Sequence, residues 1–378
     1  MPNIIDSPRI RLEPVLYVLY YAILYIGCTF SANNGTAEPN FELAGSCYLA
    51  CLRVLPVWQP QADGSALDFV AALFMVRIAM LCCDHDLAWL MHRNACAYAQ
   101  RFNLHNLDSG DQTGLQHDAS CDEGRRGFWQ MIQIDLHVRL ILDKPATITA
   151  GAWNVNLPWL SARSRPPPGD VKATAFLITS QMAMILLQFF TFFDNAVAGG
   201  QEDLRQRTKR LCQEIQHIFA NWQVDEWFAA PSDRKVDNCY KSDVLLAGYT
   251  YIIFMLRKVE GLEHEPTEVS QAGSVSLIVR DASRRIVELL NHMLKLYPNP
   301  QGLLCVLGYY KPELAVGLLY SQVIDTPDTL ESRADAERLR ELGGSIRDII
   351  TRRQDLTPLA RAIEALDGAL PKESLSSE

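Results

Sequence analysis

Apolar residues recur at helical spacing along almost the whole 378-residue chain, and strictly alternating runs of strand length are scarce. That periodicity predicts an all-α protein: a large multi-helix bundle built from antiparallel helical hairpins. The first helix is read over Pro14 to Ile26, apolar all round and therefore buried. The second runs from Phe41 to Val54, with Ala44, Cys47 and Cys51 on one face, and Pro56 and Pro60 are expected to end it. Leu67 to Cys82 and Asp86 to Phe102 form a second hairpin, with an aspartate cap between them and Asn103 closing its second helix. Ser120 with Glu123 resembles a capping box for a helix reaching Leu142. An extended stretch to Leu157-Pro158 and a proline-rich linker near Pro166 follow. Further helices are expected at Thr174–Phe193, Glu202–Trp222, Ser242–Val259, Ser274–Leu296 and Pro312–Tyr320. Beyond Glu331 the chain is more charged. Leu339, Leu342, Ile346, Ile349 and Leu356 keep a heptad-like spacing that Gly343-Gly344 should break, and an amphipathic helix on the core is preferred to a coiled coil. Three segments result: 1–165 and 166–330 as two halves of one domain, and 331–378 as a helical extension with a disordered end.

Composition narrows the function classes. Hydrophobic residues make up 48% of the chain, enough for one large core or two smaller ones. The net charge of −9 does not attract phosphate backbones, so nucleic-acid binding would need a local basic module. The ten cysteines sit mostly in helix-like apolar runs and read as small buried hydrophobes in a reducing compartment. Pro14 to Phe30 mimics a signal peptide, with a glycosylation sequon at Asn34, and Thr174 to Phe193 is long enough to span a bilayer. Glu13-Pro14 and the tyrosines of the first segment, and Thr179, Ser180, Gln181, Gln188 and Thr191 of the second, favour buried helices over membrane spans.

Motifs of catalysis are missing. The chain has no phosphate-cradling glycine loop, no G-x-S-x-G elbow, no H-E-x-x-H and no C-x-x-C pair. No catalytic residue, metal ligand or cofactor is therefore assigned. His92 and Cys96, four apart and near Cys82, Cys83 and His85, are the best metal candidates. The preferred reading keeps Cys96 in the core and His92 partly exposed. Asp135 lies on the apolar ridge of Phe128, Met131, Val138 and Leu142, so it must be paired. Arg139, Arg125 and Arg126 are the expected partners. An alternative class is a helical enzyme whose site gathers Asp135, His105 and His137. The run Arg205-Gln206-Arg207-Thr208-Lys209-Arg210 reads as a solvated helix face, with a nuclear import signal as the second reading.

Arg101 to Pro158 carries the most specific pattern. It contains Leu104-His105, the paired Arg125-Arg126, Phe128-Trp129, Asp135 six residues after the tryptophan, Pro145, and a closing Leu157-Pro158. This resembles the middle homology region, the fungus-specific regulatory domain, of fungal zinc-cluster transcription factors. Two departures stand out: Asn103 occupies a position where the family has glycine, and Asp143-Lys144 replace Gly-Arg before Pro145. No six-cysteine DNA-reading cluster is present in the chain. The resemblance implies an all-α regulator of transcription working in the nucleus (the cytoplasm being the alternative), often on metabolic or secondary-metabolite gene clusters. It further implies a homodimer or a heterodimer with a zinc-cluster factor, or a small-molecule effector. Direct DNA binding by this chain alone and membrane association are not expected.

Overall fold

The computed structural model describes residues 12–30, 40–109, 119–149, 151–158, 169–197, 203–230, 232, 234–263, 277–296, 300–350 and 356–370. These hold fourteen α-helices and no strand. The chain divides into two compact units, residues 1–168 and 169–378.

The first unit contains α1 (Pro14–Phe30), α2 (Phe41–Trp58), α3 (Ala66–Leu81), α4 (His85–Arg101) and α5 (Ala119–Leu142). Consecutive helices pack together, α1 on α2 and α3 on α4, and α1 also lies against α3. Expected and observed elements differ in two ways here. Helix α1 buries one face only, through Val15, Val18, Ala22, Tyr25 and Thr29, while Ile23 is 56% exposed. Its apolar outer side thus belongs to an edge helix and not to a central one. Helix α2 carries Pro56 inside its last turn and runs on to Trp58. A proline there costs one backbone bond near an end where bonds are already ending. Trp58 holds the turn in place, buried with its indole N–H donating to Asp68 Oδ1 at 2.6 Å.

Asp68 shows how a buried carboxylate is made tolerable. Ser65 and Asp68 form a true capping box at the start of α3, and Asp68 also accepts from the Gly64 amide. Burial works to raise its pKa, but the donors from Trp58 and Ser65 outweigh it and hold the carboxyl below its ordinary value. At the next turn Asp84 is the N-cap of α4, and Tyr48 of α2 donates to it at 2.8 Å. Asn103 closes α4 in the left-handed conformation, φ 56°, which asparagine tolerates better than most residues. The Ser120 side chain of the expected capping box lies outside the described residues.

The second unit contains α6 (Val171–Val197), α7 (Leu204–Asn221), α8 (Val224–Ala229), α9 (Lys235–Glu263), α10 (Leu277–Leu296), α11 (Pro300–Tyr310), α12 (Glu313–Asp325), α13 (Leu330–Ile350) and α14 (Thr357–Ala369). Two of these, α8 and α11, are absent from the expectation above. Helix α9 is central and touches α6, α7 and α10. Gly248 permits that convergence: a Cβ there would collide with Phe219 of α7 and reach 3.0 Å from Met182 Sδ of α6. Gly343-Gly344 does not break α13. Gly343 is buried where α14 crosses, and an added Cβ would lie 3.0 Å from the Asp367 carboxylate and 3.2 Å from Ile363. Each helical glycine costs about 1 kcal/mol against alanine, and close packing offsets it. Asp335 of α13 is fully buried and receives a two-pronged contact from Arg284 of α10 at 2.8–3.0 Å, with Arg338 adding another at 3.0 Å.

By length and composition alone, Phe41–Gln61 and Val171–Val197 are apolar enough to cross a membrane. In the fold 56% of the second window is buried inside its unit, against 28% of the first.

Candidate functional site

The residues singled out between Arg101 and Pro158 build one cluster in the first unit. Helix α5 supplies its spine. Phe128 and Trp129 are buried on α5, and Trp153 packs against both, edge-on to Trp129 at 5.4 Å. The Trp129 indole N–H donates to the Asn156 carbonyl at 3.1 Å. The tryptophan therefore pins the extended segment that returns after α5. Pro158, at the end of that segment, is buried.

Arg125 ties the same segment down from its other side. Its guanidinium pairs with Asp108 and with Asp122. Asp108 in turn accepts from the Asn156 amide at 2.6 Å. Backbone bonds continue the seam: Asp108 donates to the Asn154 carbonyl, and Asn154 donates to His105 at 2.7 Å. Burial alone would raise the Asp108 pKa, but Arg125 and the Asn156 amide hold it below the ordinary carboxylate value. The neighbouring carboxylates stabilise the charge on Arg125. Arg126, its sequence twin, makes no ion pair among the described residues.

Asp135 is buried as expected, but its partners are different. Oδ1 accepts from the Thr147 amide at 2.9 Å and meets His92 Nε2 at 3.2 Å, and Oδ2 accepts from the Ile148 amide at 3.2 Å. The expected arrival of Arg125 fails because that side chain is committed to Asp108. His92 corrects a second expectation, since it is fully buried. Its position was readable: Ala88, Met91, His92, Ala95, Cys96 and Ala99 form one buried face of α4. Asp143 ends α5 at φ 53°, in the conformation glycine adopts without cost. Lys144 then reaches back to Asp86 and lies over the Trp89 ring of α4. Exposed Pro145 keeps the helix from resuming, which frees the Thr147 and Ile148 amides for Asp135.

Cys96, His92 and Asp135 do not form a nucleophile–base–acid relay. His92 meets both Asp135 and Cys96 through the same nitrogen, Nε2, with Cys96 Sγ at 3.4 Å. A relay needs one ring nitrogen for the nucleophile and the other for the orienting acid. Burial, with the nearby Asp135 charge, pushes the Cys96 thiol far above its ordinary range, so thiolate is disfavoured. Of the trio Asp135, His105 and His137, the carboxylate of Asp135 is engaged by His92 and by the Thr147 and Ile148 amides. Asp135 and His137 are two apart on α5 and point to opposite sides. His105 lies on the short turn Leu104–Asn106 and lines a cavity with Cys96, Phe128, Met131 and Trp153. That cavity measures about 40 Å³, room for a few waters, whereas small-molecule sites run to several hundred Å³. Among the described residues no group of three or more His, Cys, Asp or Glu side chains is placed to hold a metal ion.

Sequence reasoning missed Asp108, Asn154, Asn156 and Trp153. Their contacts join positions 17 to 49 residues apart, which no local pattern displays. In the first unit, helices α4 and α5 and the segment that returns after α5 are thus joined by Trp129, Arg125 and Asp135. Comparison with family models, curated proteins and solved structures returned no match.

Proposed function

We propose that the chain is the regulatory domain of a transcription regulator of the fungal zinc-cluster type; residues 1–378 themselves include no DNA-reading cysteine cluster. It works in the nucleus through protein partners, either a second copy or a zinc-cluster relative, and bears on a metabolic or secondary-metabolite gene cluster. One observation carries the reading. The motif positions that resemble the family's regulatory domain are scattered over 55 residues, Leu104 to Pro158, yet Arg125, Phe128, Trp129, Asp135 and the turn at Pro145 serve one structural task. They tie Thr147, Ile148 and Asn156 to α5 and to the Arg125–Asp108 pair. Polar groups committed to holding that segment support an interaction role over a catalytic one. A small effector is the second route to control. The cavity beside His105, at about 40 Å³, is small for such a ligand, and partner docking is the preferred route.

The test is a tethered reporter. The full chain is fused to an unrelated DNA-binding module and placed upstream of a reporter gene in a fungal host. The expected result is reporter output that departs from that of the module alone, upward for an activator and downward for a repressor. Trp129→Ala, which removes the pin on Asn156, should abolish the departure. Output equal to that of the bare module, with the fusion stable and nuclear, sinks the proposal.

A further inference from the structure

We infer that the basic run at the start of α7 is a docking element for an acidic groove on a carrier protein of nuclear import. The inference rests on the nuclear reading above and adds the device that gets the chain there. Four of the six residues from Arg205 to Arg210 are cationic. Arg205, Gln206, Arg207 and Arg210 are exposed and Lys209 is half-buried, while Thr208, Leu211 and Cys212 turn inward and anchor the helix. Arg207 has a structural task, lying over the Phe192 ring of α6 at 4.9 Å. Arg205, Lys209 and Arg210 make no ion pair among the described residues, although the chain carries a surplus of nine negative charges.

Their placement works against the fold. Arg205 and Arg207 lie in the first turn of α7, where the helix dipole favours anions. Asp203 caps the helix through a single side-chain contact to the Gln206 amide at 3.1 Å. The buried Leu204, Thr208, Leu211 and Cys212 keep the run helical, so its cations are presented on the outer face of α7. The exposed neighbours Gln206, Gln213, Glu214 and Gln216 include no aromatic ring on which a base could stack. The overall charge repels nucleic-acid backbones beyond short range. An acidic protein groove matches four closely spaced cations without either objection.

The experiment uses the full chain fused to a fluorescent protein large enough to prevent passive entry into the nucleus. The triple variant Arg205→Gln/Lys209→Gln/Arg210→Gln is compared with Arg205→Lys/Arg210→Lys and with wild type. Since Arg205 and Arg210 are exposed and Lys209 is half-buried, circular dichroism melting should move little. The expected result is nuclear accumulation of wild type and of the lysine variant, and exclusion of the glutamine variant. If wild type and the glutamine variant are both nuclear, the inference fails and the proposed function stands. If both stay cytoplasmic, the inference fails and the nuclear reading fails with it. Loss of duplex DNA binding in the glutamine variant without loss of accumulation also overturns it, in favour of a nucleic-acid surface.

Discussion

Replacing Asp135 by alanine should be the most damaging single change in the first unit. The substitution removes the acceptor for the Thr147 and Ile148 amides and for His92 at once. All three contacts are largely shielded from water, and the His92 side chain is completely so. Removing one partner of a buried charged pair typically costs about 3–5 kcal/mol, because the groups left behind stay buried and unpaired. Domain stabilities are only about 5–15 kcal/mol, so this is a large share. For a unit of this size each kcal/mol lowers the midpoint by about 2–4 °C, which gives a fall of roughly 10 °C. The assay is thermal unfolding of the full chain followed by circular dichroism. Asp135→Asn should fall between the two, since its carbonyl oxygen still accepts from one amide. A double-mutant cycle with His92→Gln should show coupling of about 1 kcal/mol or more, as expected for contacting buried groups. Midpoints within about 2 °C of each other for wild type and Asp135→Ala would refute the argument that this carboxylate holds the return segment.

Three further outcomes follow from the same physics. Gly248→Leu should destabilise the second unit by at least about 1–3 kcal/mol through overpacking against Phe219 and Met182, read as an early transition in urea unfolding. Asp335→Ala should cost about 1–3 kcal/mol, reduced from the fully buried case because Arg284 and Arg338 are partly solvated. Glu288→Gln on the exposed edge of that network should change the urea midpoint very little. Acid should weaken the first unit through Asp68 and Asp108, whose folded pKa values are depressed. Their contribution is complete above the unfolded value of about 3.9 and is lost as pH falls through the lower folded values. Arg125→Ala should flatten that acid limb in a melting series between pH 5 and 2.

The helices were legible in the sequence because each buries a stripe with helical period, and α3, α4, α7 and α10 begin and end within a few residues of the expectation. The misjudged features are those where tertiary packing overrides local propensity. Pro56 is tolerated because Trp58 is tied to Asp68. Gly343 is helical because α14 needs the space. Helix α1 looks central by composition, yet it lies at an edge with Ile23 exposed. At the candidate site the pattern marked the spine, Arg125, Phe128, Trp129 and Asp135, but not what the spine holds. Arg125 and Asp135 both looked available to each other on one helix. Competition from Asp108, far away in sequence and close in space, decided the pairing. His92 reads as half-exposed only if the alanines around it are not counted as a core face, and in α4 they are that face.

The proposed regulator acts on transcription without this chain gripping DNA itself, and a duplex titration of the chain tests that most directly. Fluorescence anisotropy would be measured on the purified protein with a labelled DNA duplex at low and at moderate salt. The predicted result is weak binding with no sequence preference at low salt, vanishing at moderate salt as counterions compete for the few phosphate contacts an acidic chain can make. Sequence-specific binding that survives moderate salt would contradict it.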